Sequence, residues 1–487
     1  MKSVNHQRYQ SEPLQGDPSS VSPSFCVLPW LQRFINLGGE HQICCTSEEH
    51  QNSIRTGWGR SLSMTNTDDP KAVQNAAGIR KVRRQMLKGL WPKACIRCKT
   101  VEKCGGKSRR QIENWRFQES IPEILEKTDL RGYTQVSPTY VDLRLGNQCN
   151  LVCRMCNPRA SRKWRNEWNK VKLKWERYPF VKSRFKYDWY RKRRFRPFLY
   201  ALLPDAKFLH FAGGEPLIIP ETLNLLKELQ KRGKAPNIEV SFNTNLTVLS
   251  DELLNCLKEF KRVYFYVSID AYGELNNYIR YPSQWDKIVS RLCQISKWAE
   301  HSPFFIQFNV TVQMYNILKL DKLIDWIQSL DLPGVGLAPN LTVLNNPSYF
   351  DIRNLPKSLK KKVTETIEIR KVDWIRAVPN YERETLAANL ESILEHLKFS
   401  PSGPWNQSHF YTVTAAMDKL RKQNLYDLLP EFSSFSARNP DDFLPLSLTG
   451  GAGSSFTPLY YGPDNPDILI DPHTRPLGLP KNSAYKA

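Results

Sequence analysis

With 487 residues, 40% hydrophobic and 11% aromatic, the chain has the composition of a globular protein with room for two or three domains. Its 70 Lys and Arg against 48 Asp and Glu give a formal net charge of +22, a surface that attracts polyanions or acidic peptides. No run of about 18 apolar residues occurs, which excludes a membrane-spanning helix and any membrane partner reached through one.

Residues 1–23 are polar and rich in Ser, Pro and Gln, lack the apolar core of a secretory signal and read as a disordered lead-in. Eleven cysteines without an export signal point to metal or cluster ligation in a reducing cytoplasm, not to disulfides. The first of them, Cys26, precedes an apolar run and a Gly38-Gly39 turn that leads to Cys44-Cys45. Two short strands joined by that turn would bring Cys26 near the pair. A helix is expected over 69–87, with Pro70 at its first position. Cys95 and Cys98 then form a Cys-x2-Cys knuckle, a tight way to aim two thiolates at one metal. Cys104 is an extra thiol with no assigned partner, and residues 107–130 read as helical.

An alternating segment over 140–145 reads as a strand, and just beyond it Cys149, Cys153 and Cys156 form a Cys-x3-Cys-x2-Cys run. Three thiols within eight residues can converge on one centre, and soft thiolates select zinc, copper(I) or iron–sulfur clusters. Zinc wants a fourth ligand, yet the nearest downstream His is His210, a whole βα unit away. Three ligands on a four-iron cluster instead leave one iron open. From here strands are expected at 140–145, 208–211, 238–243, 262–269, 305–313 and 334–341, with helices at 220–232, 251–261, 285–301 and 318–330. That alternation is the signature of a parallel α/β sheet or barrel, whose functional groups gather at the C-terminal ends of its strands.

Gly213-Gly214-Glu215 follows the second of these strands, where glycines admit a ligand to the backbone and the carboxylate can accept from an ammonium group. Asn245 closes the third. Ser268 and Asp270 end the fourth, with Arg280 ten residues on. Period-2 alternation puts Tyr264, Tyr266, Ser268 and Asp270 on one face, and Gln307, Asn309, Thr311 and Gln313 on one face of the next strand, which suggests a polar cavity. Between the first two strands, residues 159–196 hold sixteen Lys or Arg, three acidic residues and ten aromatics. Two readings stand: an RNA surface, or an amphipathic helical excursion whose aromatics pack inward. Helical periodicity resumes at 357–372, 386–397 and 409–426, and the Gly-, Ser- and Pro-rich residues 445–487 read as a flexible tail.

Cys149, Cys153 and Cys156, taken with Gly213-Gly214-Glu215, resemble the cluster and cofactor motifs of the radical S-adenosylmethionine (SAM) enzymes. The resemblance implies an α/β fold with a partial (β/α)6 barrel over 139–350, carrying the insert 159–196. It implies that the three cysteines hold a catalytic [4Fe–4S] cluster whose open iron binds SAM. An electron from a reductant such as flavodoxin or ferredoxin would then split SAM to a 5′-deoxyadenosyl radical that abstracts a hydrogen atom. Gly213, Gly214, Glu215, Asn245, Ser268, Asp270 and Arg280 match the positions that surround SAM; Leu246 stands where the family often has glycine. Residues 24–130 resemble the twitch or SPASM-like auxiliary module of peptide-modifying relatives. By that likeness Cys26, Cys44 or Cys45, Cys95 and Cys98 would hold a second [4Fe–4S] cluster, and the substrate would be a peptide or protein side chain. Asp418 and Arg421, in the helical region 351–444, resemble the closing segment of twitch-containing homologues. A radical SAM enzyme acting on RNA and a zinc-binding scaffold without enzymatic activity remain alternatives.

Overall fold

The computed structural model describes residues 21–47, 52–67, 69–103, 107–171, 187–193, 195–400 and 406–435. Cys104, residues 172–186 of the basic aromatic stretch and the tail lie outside them. One sheet of eight strands organises the chain: β1 (Gln32–Ile35), β2 (His41–Gln42), β3 (Tyr140–Arg144), β4 (Phe208–Ala212), β5 (Glu239–Thr244), β6 (Arg262–Ser268), β7 (Phe304–Val312) and β8 (Asn340–Val343). The spatial order is β2-β1-β3-β4-β5-β6-β7-β8. Every pairing is parallel except that of β1 with β2.

Strand alternation decides which side chains face which way. Along β6 Val263, Phe265 and Val267 are buried while Tyr264, Tyr266 and Ser268 are half-buried, and β7 alternates the same way over nine residues. Phe211, Phe242 and Phe265 stack in a row across β4, β5 and β6 at 5.4 and 5.7 Å, so one apolar layer spans three strands. Helices cover that layer. The helix Pro220–Lys231 begins with proline at its first position, buries Thr222, Leu225, Leu226 and Leu229 at helical spacing, and is followed by Gly233 at φ +65°. Each fully buried leucine there contributes about 1.5–3 kcal/mol. No helix among the described residues is long and apolar enough to cross a membrane.

Three expectations need correction. The sheet has eight strands where six were expected, because the N-terminal cysteine segment adds two of its own. Asn36 Oδ1 accepts from Gly38 N (2.9 Å) and Glu40 N (3.0 Å), closing the β1–β2 turn, and Gln32 to Ile35 then run alongside Tyr140 to Leu143. The sixth barrel strand begins at Asn340 rather than 334, since Leu337 N and Ala338 N donate to Glu382 Oε2 (3.1 and 2.8 Å) and Pro339 has no N–H to give. Only an isolated bridge joins Val335 to Ile306. The helix expected over 69–87 is two, Pro70–Gln74 and Ala77–Leu87. Asn75 interrupts it to bind the backbone at Thr134 through both its Nδ2 and Oδ1, each at 2.9 Å.

In the C-terminal region the long helices are Lys357–Ala377, Asn380–Lys398 and Asn406–Arg421, the first two packed against each other and the second against β8.

Candidate active site

The three clustered cysteines lie on the loop that leaves β3, and hydrogen bonds from several directions fix its path. Val152 N donates to Tyr281 O (2.7 Å), Arg154 N to Ile279 O (2.8 Å), Glu215 N to Gln148 O (2.7 Å) and Trp164 Nε1 to Cys153 O (2.6 Å). Close approach requires glycine here. A Cβ on Gly214 would sit 2.0 Å from Gln148 O, and one on Gly146, at φ +67°, would sit 2.2 Å from Tyr187 O. Beneath the loop Arg154 is fully buried: its guanidinium pairs with Asp418, donates to Tyr278 O (3.0 Å) and lies 3.5 Å from the Tyr278 ring centre. Arg421 Nη2 donates to Val152 O (2.6 Å) and its Nε to Glu167 Oε1 (2.7 Å). The helix Asn406–Arg421 therefore grips the cysteine loop from the far end of the chain.

Cys149, Cys153 and Cys156 line one cavity of about 400 Å³ at the C-terminal ends of the parallel strands, together with Gly213, Gly214, Glu215, Asn245, Ser268 and Arg280. Burial raises the pKa of all three thiols, that of Cys149 to about 12, with the neighbouring thiolates adding repulsion at Cys149 and Cys156. A soft centre that took up the thiolates would remove that penalty and release protons. Donor set and space both fit a cluster with one open corner and a small organic ligand beside it.

Around this cavity several polar groups are held by hydrogen bonds. Glu215 is buried. Its Oε1 accepts from Thr244 Oγ1 (2.7 Å) and Leu217 N (3.1 Å), and its Oε2 from Asn245 N (2.7 Å). Burial nevertheless pushes its carboxyl up to about 7 against those three hydrogen bonds. Asn245 Nδ2 lies 3.9 Å from Cys149 Sγ and donates to Asn150 Oδ1 (3.0 Å). Asp270 is fully buried and absent from the cavity wall; it holds Arg280 by an ion pair at 2.7 Å and accepts from Thr311 N at 2.8 Å. Its carboxylate thus faces Arg280, which does line the cavity. Of the polar strand faces, Ser268 and Thr311 reach the cavity, whereas Gln307 binds Ala338 O and Asn309 accepts from Asn340.

Four of the other cysteines gather elsewhere. Cys26, Cys44, Cys95 and Cys98 line a small cavity with Thr46, Ser47, Arg109 and Arg110, while Cys45 lies in the field of Arg109, Asp142 and Arg144. Burial holds the Cys26, Cys95 and Cys98 thiols above their usual range, and each also feels Cys44. Four thiols suit a soft metal centre. The space between them, about 20 Å³, admits one water-sized occupant, so a four-iron cluster would need the side chains to turn outward. Among the described residues no three His, Cys, Asp or Glu side chains stand ready to hold a single ion.

Sequence reasoning missed several parts of the wall, among them the stretch from Thr342 to Pro347 that follows β8. Leu37, from the β1–β2 turn, and Arg97, between Cys95 and Cys98, bring the N-terminal segment to the cavity, and Arg144 reaches it from the end of β3. Arg144 was signalled by its place on the inward face of β3, but nothing local marks Leu37 or Arg97, whose approach depends on the β1–β3 pairing.

Residues 143–295 match the sequence profile of the Radical SAM superfamily. The tungsten-containing aldehyde ferredoxin oxidoreductase cofactor-modifying protein of Pyrococcus furiosus is 26% identical over 224 residues, 44% of this chain and 54% of that protein. The chain thus spans about half the length of that relative. Among solved structures, Streptococcus suis SuiB bound to S-adenosylmethionine aligns with a TM-score of 0.30 and 14% identity, over 64% of this chain and 65% of SuiB. Native anSMEcpe with bound AdoMet aligns with a TM-score of 0.34 and 17% identity, over 49% and 61%. Likeness at that level says nothing of substrate.

Proposed function

We propose that this chain, a radical SAM enzyme by its residues 143–295, reductively cleaves SAM and abstracts a hydrogen atom from a peptide or protein side chain. The observation that carries the reading is the convergence of Cys149, Cys153 and Cys156 with the Gly213-Gly214-Glu215 turn on one cavity. Cys149, Cys153 and Cys156 would hold the cluster, which supplies the electron that splits SAM and so a radical able to abstract hydrogen. The chain's own residues bind and orient. Glu215, already aimed by Thr244, Leu217 and Asn245, would accept the ammonium of SAM. Gly213 and Gly214 leave room for backbone contact, and Asn245 and Ser268 border the same space. Arg280, fixed by Asp270, places its charge beside Cys153 and Cys156, where it favours the thiolates. The electron would come from a carrier such as flavodoxin or ferredoxin.

The peptide substrate is supported by the resemblance of the N-terminal cysteine segment to modules of peptide-modifying enzymes. For the second centre the reading favours Cys44 over Cys45, since Cys44 shares a cavity with Cys26, Cys95 and Cys98.

Metal analysis tests this directly. Protein purified without oxygen should contain iron and sulfide, and changing Cys149, Cys153 and Cys156 together to Ala should remove about four irons and abolish dithionite-driven SAM cleavage. Cleavage that survives in the triple variant, or zinc without iron in the wild type, would sink the assignment. Iron left in that variant would report the Cys26, Cys44, Cys95 and Cys98 site; zinc there would make that site structural.

A further inference from the structure

Trp58 stands at the tip of a turn in the N-terminal segment and is 98% exposed. Thr56 N donates to Arg60 O (2.9 Å) and Gly59 N to Thr56 O (3.0 Å), a closure that Gly59 permits at φ +76°. A Cβ on Gly57 or Gly59 would meet nothing within 4 Å, so no neighbour crowds the indole from either side. The turn is docked on the helix Ala77–Leu87: Gly78 N donates to Arg55 O (3.0 Å), and a Cβ on Gly78 would sit 2.9 Å from Arg55 N. Further along the same helix lies the loop 129–133, where Arg83 Nη1 donates to Gly132 O (3.3 Å) and a Cβ on Gly132 would sit 2.4 Å from Arg80 O. That loop exposes Leu130 and half of Tyr133.

Cations run between the turn and the loop. Arg80, Arg84 and Lys88 fall at i, i+4 and i+8, a stripe spaced about 6 Å along the axis, with Lys81 beside it and Arg55 and Arg60 on the turn. No ion pair among the described residues engages any of these six, and residues 70–101 contain nine Lys or Arg and no acid. On the loop side the acids serve locally. Glu123 pairs with Lys127 (2.8 Å), Glu126 lies in the field of the same lysine, and Asp129 Oδ1 accepts from Arg131 N (2.9 Å) and Tyr133 N (2.8 Å).

We infer that this face of the N-terminal segment binds single-stranded nucleic acid, with phosphates along Arg80, Arg84 and Lys88 and bases stacked on Trp58 and Tyr133. Any polyanion is drawn to the cations, but an open indole between two arginines offers a stacking platform that a base uses and a carboxylate does not. None of these residues lines the large cavity, so the inference stands apart from the radical SAM reading.

The test uses the full chain, reconstituted without oxygen, with a fluorescein-labelled oligoadenylate of about twelve nucleotides as probe and anisotropy as readout. Affinity should fall with salt. The slope of log K against log salt should shrink by about 1.4 when Arg84→Gln and Lys88→Gln are combined, since each phosphate contact to a single strand contributes about 0.7. Trp58→Ala should weaken binding roughly 10- to 100-fold, and Trp58→Phe, which keeps a ring, should retain most of the affinity. Affinity unchanged in Trp58→Ala, or a salt slope unchanged in the double variant, overturns the proposal. Polyglutamate that displaces the probe as well as unlabelled oligoadenylate does at equal charge overturns it in favour of an acidic protein partner. Ultraviolet cross-linking of the wild type decides the matter where a variant fails to fold. The nucleotide should be recovered on residues 56–60; its absence there, or cross-links confined to residues 159–196, overturns the proposal.

Discussion

At Glu215 two opposed forces act on one buried carboxylate. Three donors aim its carboxylate, yet burial outweighs them and lifts its pKa to about 7. The sign follows from proton linkage: a raised carboxyl binds its proton more tightly folded than unfolded. Its contribution to ligand-free stability is therefore lost as pH rises from the ordinary glutamate value near 4.3 to about 7. An ammonium beside it would reverse the penalty by favouring the charged form. SAM affinity of the reconstituted enzyme, measured calorimetrically, should rise between about pH 5.5 and 7.5, and Glu215→Gln should weaken binding roughly 10- to 100-fold, the worth of a charge-assisted hydrogen bond, and flatten the profile. A flat profile in the wild type would show that Glu215 does not meet the ammonium. At this scale the sequence spoke plainly where chemistry is local: cysteine spacing, a Gly-Gly-Glu turn, and Leu246, flagged because it replaces a family glycine. Leu246 indeed sits at φ +52° with its side chain fully buried, so packing offsets a backbone conformation that costs about 1–2 kcal/mol. What could not be read was Asp270 turning behind Arg280, or which of Cys44 and Cys45 faces Cys26, since both depend on neighbours far along the chain.

Among the elements, the parallel strands were legible because a two-residue alternation survives in the amino-acid pattern, and their observed bounds lie within one residue of expectation from β3 through β7. β8 was not, because Glu382 of a later helix takes the backbone donors that the strand would have used. The helix Asn406–Arg421 carries a similar long-range debt in the other direction. Its Asp418 closes the charge of a fully buried Arg154 and also accepts from Tyr278 OH (3.2 Å) and Leu425 N (2.8 Å). Removing one partner of such a pair leaves a buried charge without its counterion, which costs about 3–5 kcal/mol. Asp418→Ala should lower unfolding stability in urea by that amount and slow cluster uptake by the loosened loop. A loss below about 1 kcal/mol would show that the loop is held by its backbone hydrogen bonds alone.

Across the whole molecule the decisive feature is that β1, near the start of the chain, is hydrogen-bonded in parallel to β3, more than a hundred residues later. No local pattern encodes that pairing, which is why the N-terminal segment read as a separate module and its two contributions to the cavity wall went unseen. The same pairing makes the segment a lid on a sticky seam. A chain cut to begin at residue 139 would expose the N–H and C=O groups of β3 together with the buried side chains of Tyr140, Val141 and Leu143. Such an edge recruits other chains. The shortened protein should therefore self-associate in light scattering and lose SAM binding, even though every residue of the cysteine run and the Gly-Gly-Glu turn is retained. Supplying residues 21–138 as a separate polypeptide should suppress the association, in the way a missing stave closes a cask; persistent aggregation with that partner present would mean the two pieces must be born on one chain to find each other.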